Sequence, residues 1–330
     1  MKRIANVSAC GDPFVLFLLY KLFKERWYEE VSEIFFNINN HCDVPKPVIG
    51  EMLAKLSQDP KAHIILHPTG KGNGVPITEG VLLADKDSLI MLLEDDSFIF
   101  GSGIVNQCFQ KIESDLTDVV GSPRFSCGDE VAEALKKKYN LNYEGYGDRG
   151  PCQWPNTFFC KRQDLIKTDL DCGSKAYLPG EHYKELNWTF KEINHTDTFG
   201  WMSIQLRALG LRFTDVHQHH ADPFEIESKN KKEMNWHPTQ QPFKWIHGGS
   251  LSAGWGGYLS GRIPDVSNDS AMQEMETRVS FWQIASDVVE GFDDFKVEYK
   301  KGIEDLINNS NLDRGRIKQK YSLYRGLLNV

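Results

Sequence analysis

Three consecutive acids, Glu94, Asp95 and Asp96, interrupt the apolar stretch LIMLLEDDSFIF from Leu89 to Phe100. An unpaired carboxylate in a dry core costs several kcal/mol, so the triplet belongs at an edge of the core rather than inside it. Carboxylates held side by side suit a hard divalent cation, which can in turn bind a phosphate. A solvated acidic turn between two strands would use the same residues, since acids are common in turns.

Two further groups of residues could do chemistry. Asn194-His195-Thr196-Asp197-Thr198-Phe199-Gly200-Trp201 opens a helical pattern that Gly210 closes. Asp197 reads either as its N-cap or as a carboxylate aimed into a cleft as a general base. His217-Gln218-His219-His220 stands at the end of the strand pattern Leu211 to Val216. These imidazoles are either exposed loop residues or further ligands for a cation. The glycines of Gly70-Lys71-Gly72-Asn73-Gly74 let backbone approach a phosphate closely, although the spacing is not that of a Walker A loop. An aromatic and glycine-rich tract includes Trp245-Ile246-His247-Gly248-Gly249 and Gly254-Trp255-Gly256-Gly257. It reads as a lid, with packing on the sheet as the alternative.

The elements that must position these residues alternate between strand and helix. Arg3 to Ala9 reads as a strand, and Asp12 and Pro13 as the cap and first residue of a helix reaching Trp27. A strand at Glu33 to Asn39, a helix through Val48 to Leu56 and a strand at Ala62 to Leu66 follow. The order β-α-β-α-β implies a right-handed, mostly parallel sheet. The run from Leu89 reads as a strand buried on both faces, with its acids at the C-terminal edge where such sheets bind ligands. Thr117 to Gly121 and Thr157 to Cys160 read as later strands, and Asn140 to Pro155, which includes Trp154, as a long surface loop. From Ser270 onward the pattern is helical.

The chain has 330 residues, 40% hydrophobic and 25% charged, the balance of a globular protein. A net charge of −8 argues against gripping nucleic acid by bulk charge. Seven cysteines without a CxxC pair indicate neither a disulfide framework nor a zinc knuckle. Without a secretory h-region or a membrane-length apolar run, the expected compartment is the cytoplasm.

Together these parts resemble the GT-A fold glycosyltransferases, most nearly the inverting family 2, over roughly residues 3–220. The carriers are the Gly70-Lys71-Gly72 segment with Glu79-Gly80, the Glu94-Asp95-Asp96 triplet in the place of a DxD motif, and Asp197 with Gln205-Leu206-Arg207-Ala208-Leu209-Gly210. Thr196 stands where the family has Glu, and Ser8-Ala9-Cys10-Gly11 replaces its usual first-strand ending.

The resemblance implies an α/β fold of GT-A (Rossmann-like) type, with a mixed, mostly parallel sheet flanked by helices. It would fill residues 1–265, with a nucleotide-binding half (1–100) and an acceptor half and lid (101–265), before a helical extension (266–330). The implied activity is metal-dependent, inverting transfer of a sugar from a nucleotide-diphosphate donor, a UDP-sugar before others. Asp197 would be the base. Asp96, Glu94, His217 and His219 would hold Mn²⁺ or Mg²⁺. Ser8, Ala9, Cys10, Asn39, Gly70, Lys71, Gly72, Glu94 and Asp95 would contact the donor, and Trp154, Trp201, His247 and Trp255 the acceptor or lid. The acceptor could be a saccharide, a protein or a modified nucleic acid, and the C-terminal helices are where a homodimer would form.

Two rival readings remain. A sugar-phosphate nucleotidyltransferase would carry a Gly-x-Gly-x-Arg loop after the first strand, where this chain has Cys10-Gly11-Asp12-Pro13. A carbohydrate-binding or scaffold protein would keep the fold without the chemistry.

Overall fold

The computed structural model describes residues 1–39, 44–67, 72, 74–124, 127–141, 152–215, 219–220, 245–249, 251, 255, 258–259 and 269–330. Among them, seven strands form the main sheet. β3 (Ala62–His67), β2 (Glu33–Asn39), β1 (Arg3–Ala9) and β4 (Leu89–Glu94) run parallel in that spatial order. β7 (Cys152–Lys161) then pairs antiparallel with both β4 and β6 (Val119–Arg124), and β12 (Phe213–Asp215) closes the edge parallel to β6. The sheet is thus mixed and mostly parallel, with helices on its faces and a helical C-terminal region, as the resemblance implies.

Pairing in register brings the C-terminal ends of β2, β1 and β4 to one edge. Ser8 lies opposite Asn37 on one side and Glu94 on the other. All six residues of β4 are buried, which explains its unbroken apolar run. Leu89, Met91 and Leu93 join the core under α1 (Pro13–Leu22). Ile90 and Leu92 pack with Ile77 and Val81 of α3 (Gly74–Leu83) and with Met202 and Leu206 of α7 (Gly200–Ala208).

α1 begins as its sequence predicts. Pro13 occupies the first turn and the Asp12 carboxylate accepts from the Phe14 and Val15 amides at 3.0 and 3.1 Å. The helix continues through a π-helical turn, Phe23–Trp27. Of the three C-terminal helices, Asp269–Val288, Asp293–Asn309 and Arg314–Leu328, the first two pack on it and the third packs on the first. Phe14 meets the rings of Tyr299 and Phe295 at 4.5 and 5.8 Å. Residues 269–330 therefore bury their apolar faces in the same core as α1.

Other expectations shift. β7 starts at Cys152, well before the predicted Thr157, because a bulge opposite Gly121 and Ser122 breaks the alternation that marks a strand. α7 starts at Gly200, and the residue before it, Phe199, takes φ 67°. Asp197 is therefore not its N-cap. Among the described residues, no helix is long and apolar enough to cross a membrane.

Asp12 gives a test of how the C-terminal region is joined on. Besides capping α1, it accepts from the Tyr299 hydroxyl at 3.0 Å and the Trp255 amide at 3.3 Å. Burial outweighs these four donors and pushes its carboxyl up to about 6. The folded state holds this proton more tightly than the unfolded chain does. The contribution is fully present below about pH 4 and is lost as pH rises through about 6, a cost of about 3 kcal/mol. Asp12→Asn lacks this titration, so its melting temperature relative to wild type should climb by roughly 5 °C between pH 4 and 7. A difference that stays flat across that range contradicts the assignment.

Candidate functional site

The acids sit where β4 ends. Asp95 and Asp96 form the turn into β5 (Ser97–Ile99), and β5 pairs antiparallel with β14 (Trp245–His247) so that Ser97 lies opposite His247. This pairing joins segments some 150 residues apart in sequence. The His247 Nε2 stands 3.1 Å from the Asp96 Oδ1 and 3.5 Å from the Glu94 Oε2. The segment after β14 wraps the same acid: the Gly248 amide donates to the Asp96 carbonyl at 2.8 Å, and the Leu251 amide to its Oδ2 at 3.1 Å. Asp95 turns the other way and accepts from the Cys10 amide at 2.8 Å, while its own amide donates to the Ser8 carbonyl at 3.1 Å. Asp95, Asp96 and His247 are buried, and Glu94 nearly so.

These charges are strongly coupled. Burial, then the Asp96 charge, pushes the Asp95 carboxyl well above the usual carboxylate range. Burial acts upward on Asp96 too, but the His247 charge and hydrogen bond outweigh it and hold Asp96 below that range. On His247 burial acts downward, yet Asp96 and then Glu94 raise it to about 9. These directions favour a His247 imidazolium against the Asp96 carboxylate.

The same three groups fit a divalent cation. Each offers one ligand atom, and the three atoms lie within 4.8 Å of one another. Adjacent ligands around a cation with bonds of about 2.1 Å stand about 3 Å apart, close to the separations from His247. The two carboxylates suit Mg²⁺ or Mn²⁺, and the imidazole, a nitrogen donor, favours a transition-metal ion over Mg²⁺. A cation would have to displace the His247 proton. Mn²⁺ affinity should therefore rise about tenfold per pH unit between pH 6 and 8, measured by titration at fixed ionic strength. A flat profile would mean that His247 is not a ligand.

The other expected residues divide. His247, expected in a lid, is instead the imidazole against the acids. Trp154, on β7, brings its ring centroid 4.5 Å from that of His247. Ser8, Ala9 and Cys10 lie at the end of β1 beside the acids, and Asn39 is buried at the end of β2. Gly72 is exposed in front of α3, whereas Gly70, Lys71 and His217 lie outside the described residues. His219 belongs to β13 (His219–His220), which pairs with β14, but its side chain is not described.

Trp201 is a core residue. It is 3% exposed, donates to the Asp169 carboxylate at 2.8 Å and packs against Tyr177 and Tyr183. Trp255 packs on Phe295 and Tyr299 of the second C-terminal helix.

Asp197 is exposed and accepts from the Thr198 amide at 2.7 Å and the Ser174 hydroxyl at 3.3 Å. Its loop adjoins the start of α3, because Gly74 sits against the Cys172–Gly173 backbone and the Phe199 amide donates to the Cys172 carbonyl. These contacts place the loop that carries Asp197 beside the start of α3.

No family model and no curated protein matches the chain. Among solved structures it is similar to residues 1–349 of TarS from S. aureus, at 12% identity and a TM-score of 0.41, over 99% of this chain and 92% of that one. It is also similar to the mannosyltransferase PcManGT from Pyrobaculum calidifontis, solved with GDP-Man and Mn²⁺, at 9% identity and 0.45, over 98% and 75%. A third is the galactosyltransferase LgtC, solved with donor and acceptor sugar analogues, at 11% and 0.44, over 90% and 99%. At such values no residue's role carries over to this chain.

Proposed function

We propose that the chain is a metal-dependent glycosyltransferase, moving a sugar from a nucleotide-diphosphate donor to an acceptor hydroxyl. The observation that supports this most is the buried triad of Glu94, Asp96 and His247 at the C-terminal edge of a parallel sheet. Two carboxylates and an imidazole gathered from distant segments are costly to bury, and their pairing with one another offsets only part of that cost. A divalent cation held there would neutralise charge developing on the departing diphosphate. Glu94, Asp96 and His247 would hold it, while the ends of β1 and β2 face the nucleotide.

Asp197, exposed on the loop beside the start of α3, is the base that takes the proton of the acceptor hydroxyl. Attack opposite the leaving diphosphate inverts the anomeric carbon. The turn after β1 supports transfer over nucleotidyl chemistry. Asp12 there is committed to four donors as the cap of α1, leaving no glycine loop to cradle a triphosphate.

The test is a panel of UDP-, GDP-, CMP- and TDP-sugars with Mn²⁺, Mg²⁺ or EDTA, followed by release of the nucleotide. Consumption of one nucleotide family, stopped by EDTA, is the expected result. If no donor is consumed with either metal, with saccharide acceptors present, the chain is a binding or scaffold protein of this fold.

A further inference from the structure

The bulge in β7 holds a residue that the mechanism above leaves unused. Opposite β6 the register jumps: Phe158 pairs with Gly121, and Trp154 with Ser122. Residues 155–157 are extruded between these pairs, with Pro155 among them, where a strand tolerates proline. Bulges of this kind re-aim side chains and end pairing next to active sites. Both ends of this one are fixed beside the candidate site. Trp154 touches the His247 ring, and Thr157 pairs with Leu93, the residue before Glu94. Asn156 is no more than two residues from either anchor, which places it within about 7 Å of both along the chain.

Asn156 is 0% exposed, yet neither its Oδ1 nor its Nδ2 has a hydrogen-bond partner among the described residues. An unsatisfied buried amide is costly, and native proteins rarely keep one without use. Across Glu94, on β1, the Ser8 hydroxyl is likewise buried without a partner. Glu94 thus stands between two strands that each carry a buried polar side chain without a partner among the described residues.

Resting on the transferase reading, the geometry points to Asn156 as a binding residue for the sugar moiety of the donor. An amide offers one donor side and one acceptor side without charge, which matches neighbouring hydroxyls, each able to donate and accept. A phosphate offers acceptors alone and would leave Oδ1 unsatisfied. A cation would take Oδ1 and leave Nδ2 unsatisfied. Hydroxyls on a ring carried next to the cation satisfy both atoms.

The experiment compares UDP with UDP-glucose and GDP with GDP-mannose, by calorimetric titration in MnCl₂. Wild type is measured against Asn156→Leu, close in size, and Asn156→Ser, which cannot overfill the site. For whichever nucleotide the wild type binds, both variants should bind the diphosphate within about twofold of wild type and the intact sugar about tenfold more weakly. Sugar affinity left at the wild-type value in either variant means that the amide meets water alone and overturns the proposal. Equal losses of diphosphate and sugar in both variants assign Asn156 to the cation, the base or the fold, and also overturn it. A wild type that binds none of the four probes overturns this proposal, while the transferase reading stands or falls by the wider donor panel. Loss of the sugar contribution alone can come only from the subsite.

Discussion

Asp96→Ala is expected to abolish metal-dependent turnover and to destabilise the protein. Asp96 supplies one of the three candidate ligand atoms, accepts from the Leu251 amide and holds the His247 imidazolium at 3.1 Å. Removing a partner of a buried pair leaves the other charge uncompensated, at about 3–5 kcal/mol. Where a residue that merely orients a ligand costs about 10–100-fold in metal affinity, loss of a ligand should cost at least about 100-fold. Donor consumption in Mn²⁺ and thermal melting without metal check the two effects. A variant that keeps wild-type turnover would take Asp96 out of the site. One that melts as wild type does would mean that His247 is not charged in the folded protein.

Asp197→Asn is expected to lower kcat by about 10²- to 10⁴-fold, the usual worth of a general base, with donor affinity unchanged within about twofold. The asparagine keeps an acceptor for the Thr198 amide and the Ser174 hydroxyl, so the loop should hold its shape. Steady-state kinetics with saturating donor separates kcat from binding. Full activity in this variant would show that another group takes the acceptor proton. A loss confined to donor affinity would move Asp197 from the acceptor to the nucleotide side.

The parts legible in the sequence are those fixed by short-range patterns. Asp12 and Pro13 start α1 as their types demand, and the apolar run from Leu89 is a strand buried on both faces with its acids at the edge. What could not be read is what long-range pairing decides. His247 reaches Asp96 because β14 pairs with β5, and nothing near His247 announces that partner. In a tract rich in Trp and Gly it looks like part of a lid. The bulge at residues 155–157 hid the first half of β7, and Asn156 with it, because alternation stops where the register jumps. Trp201 is hard to read for a different reason. Aromatic residues serve sugar platforms and cores alike, and burial among Tyr177 and Tyr183 puts this one in the core. Asp197 has the residue type of a helix cap, but the left-handed Phe199 sets the start of α7 instead.

The most direct measurement is a titration of MnCl₂ into wild type and His247→Ala at pH 7.5, followed by calorimetry and by the electron spin resonance of free Mn²⁺. The imidazole comes from a distant segment and owes its place to the fold, so it reports on the assembled triad rather than on the acids alone. The expected result is one saturable site in the wild type, weakened by at least about 100-fold in His247→Ala. Uptake that is equal in the two proteins, or absent from the wild type, would contradict a cation held by Glu94, Asp96 and His247.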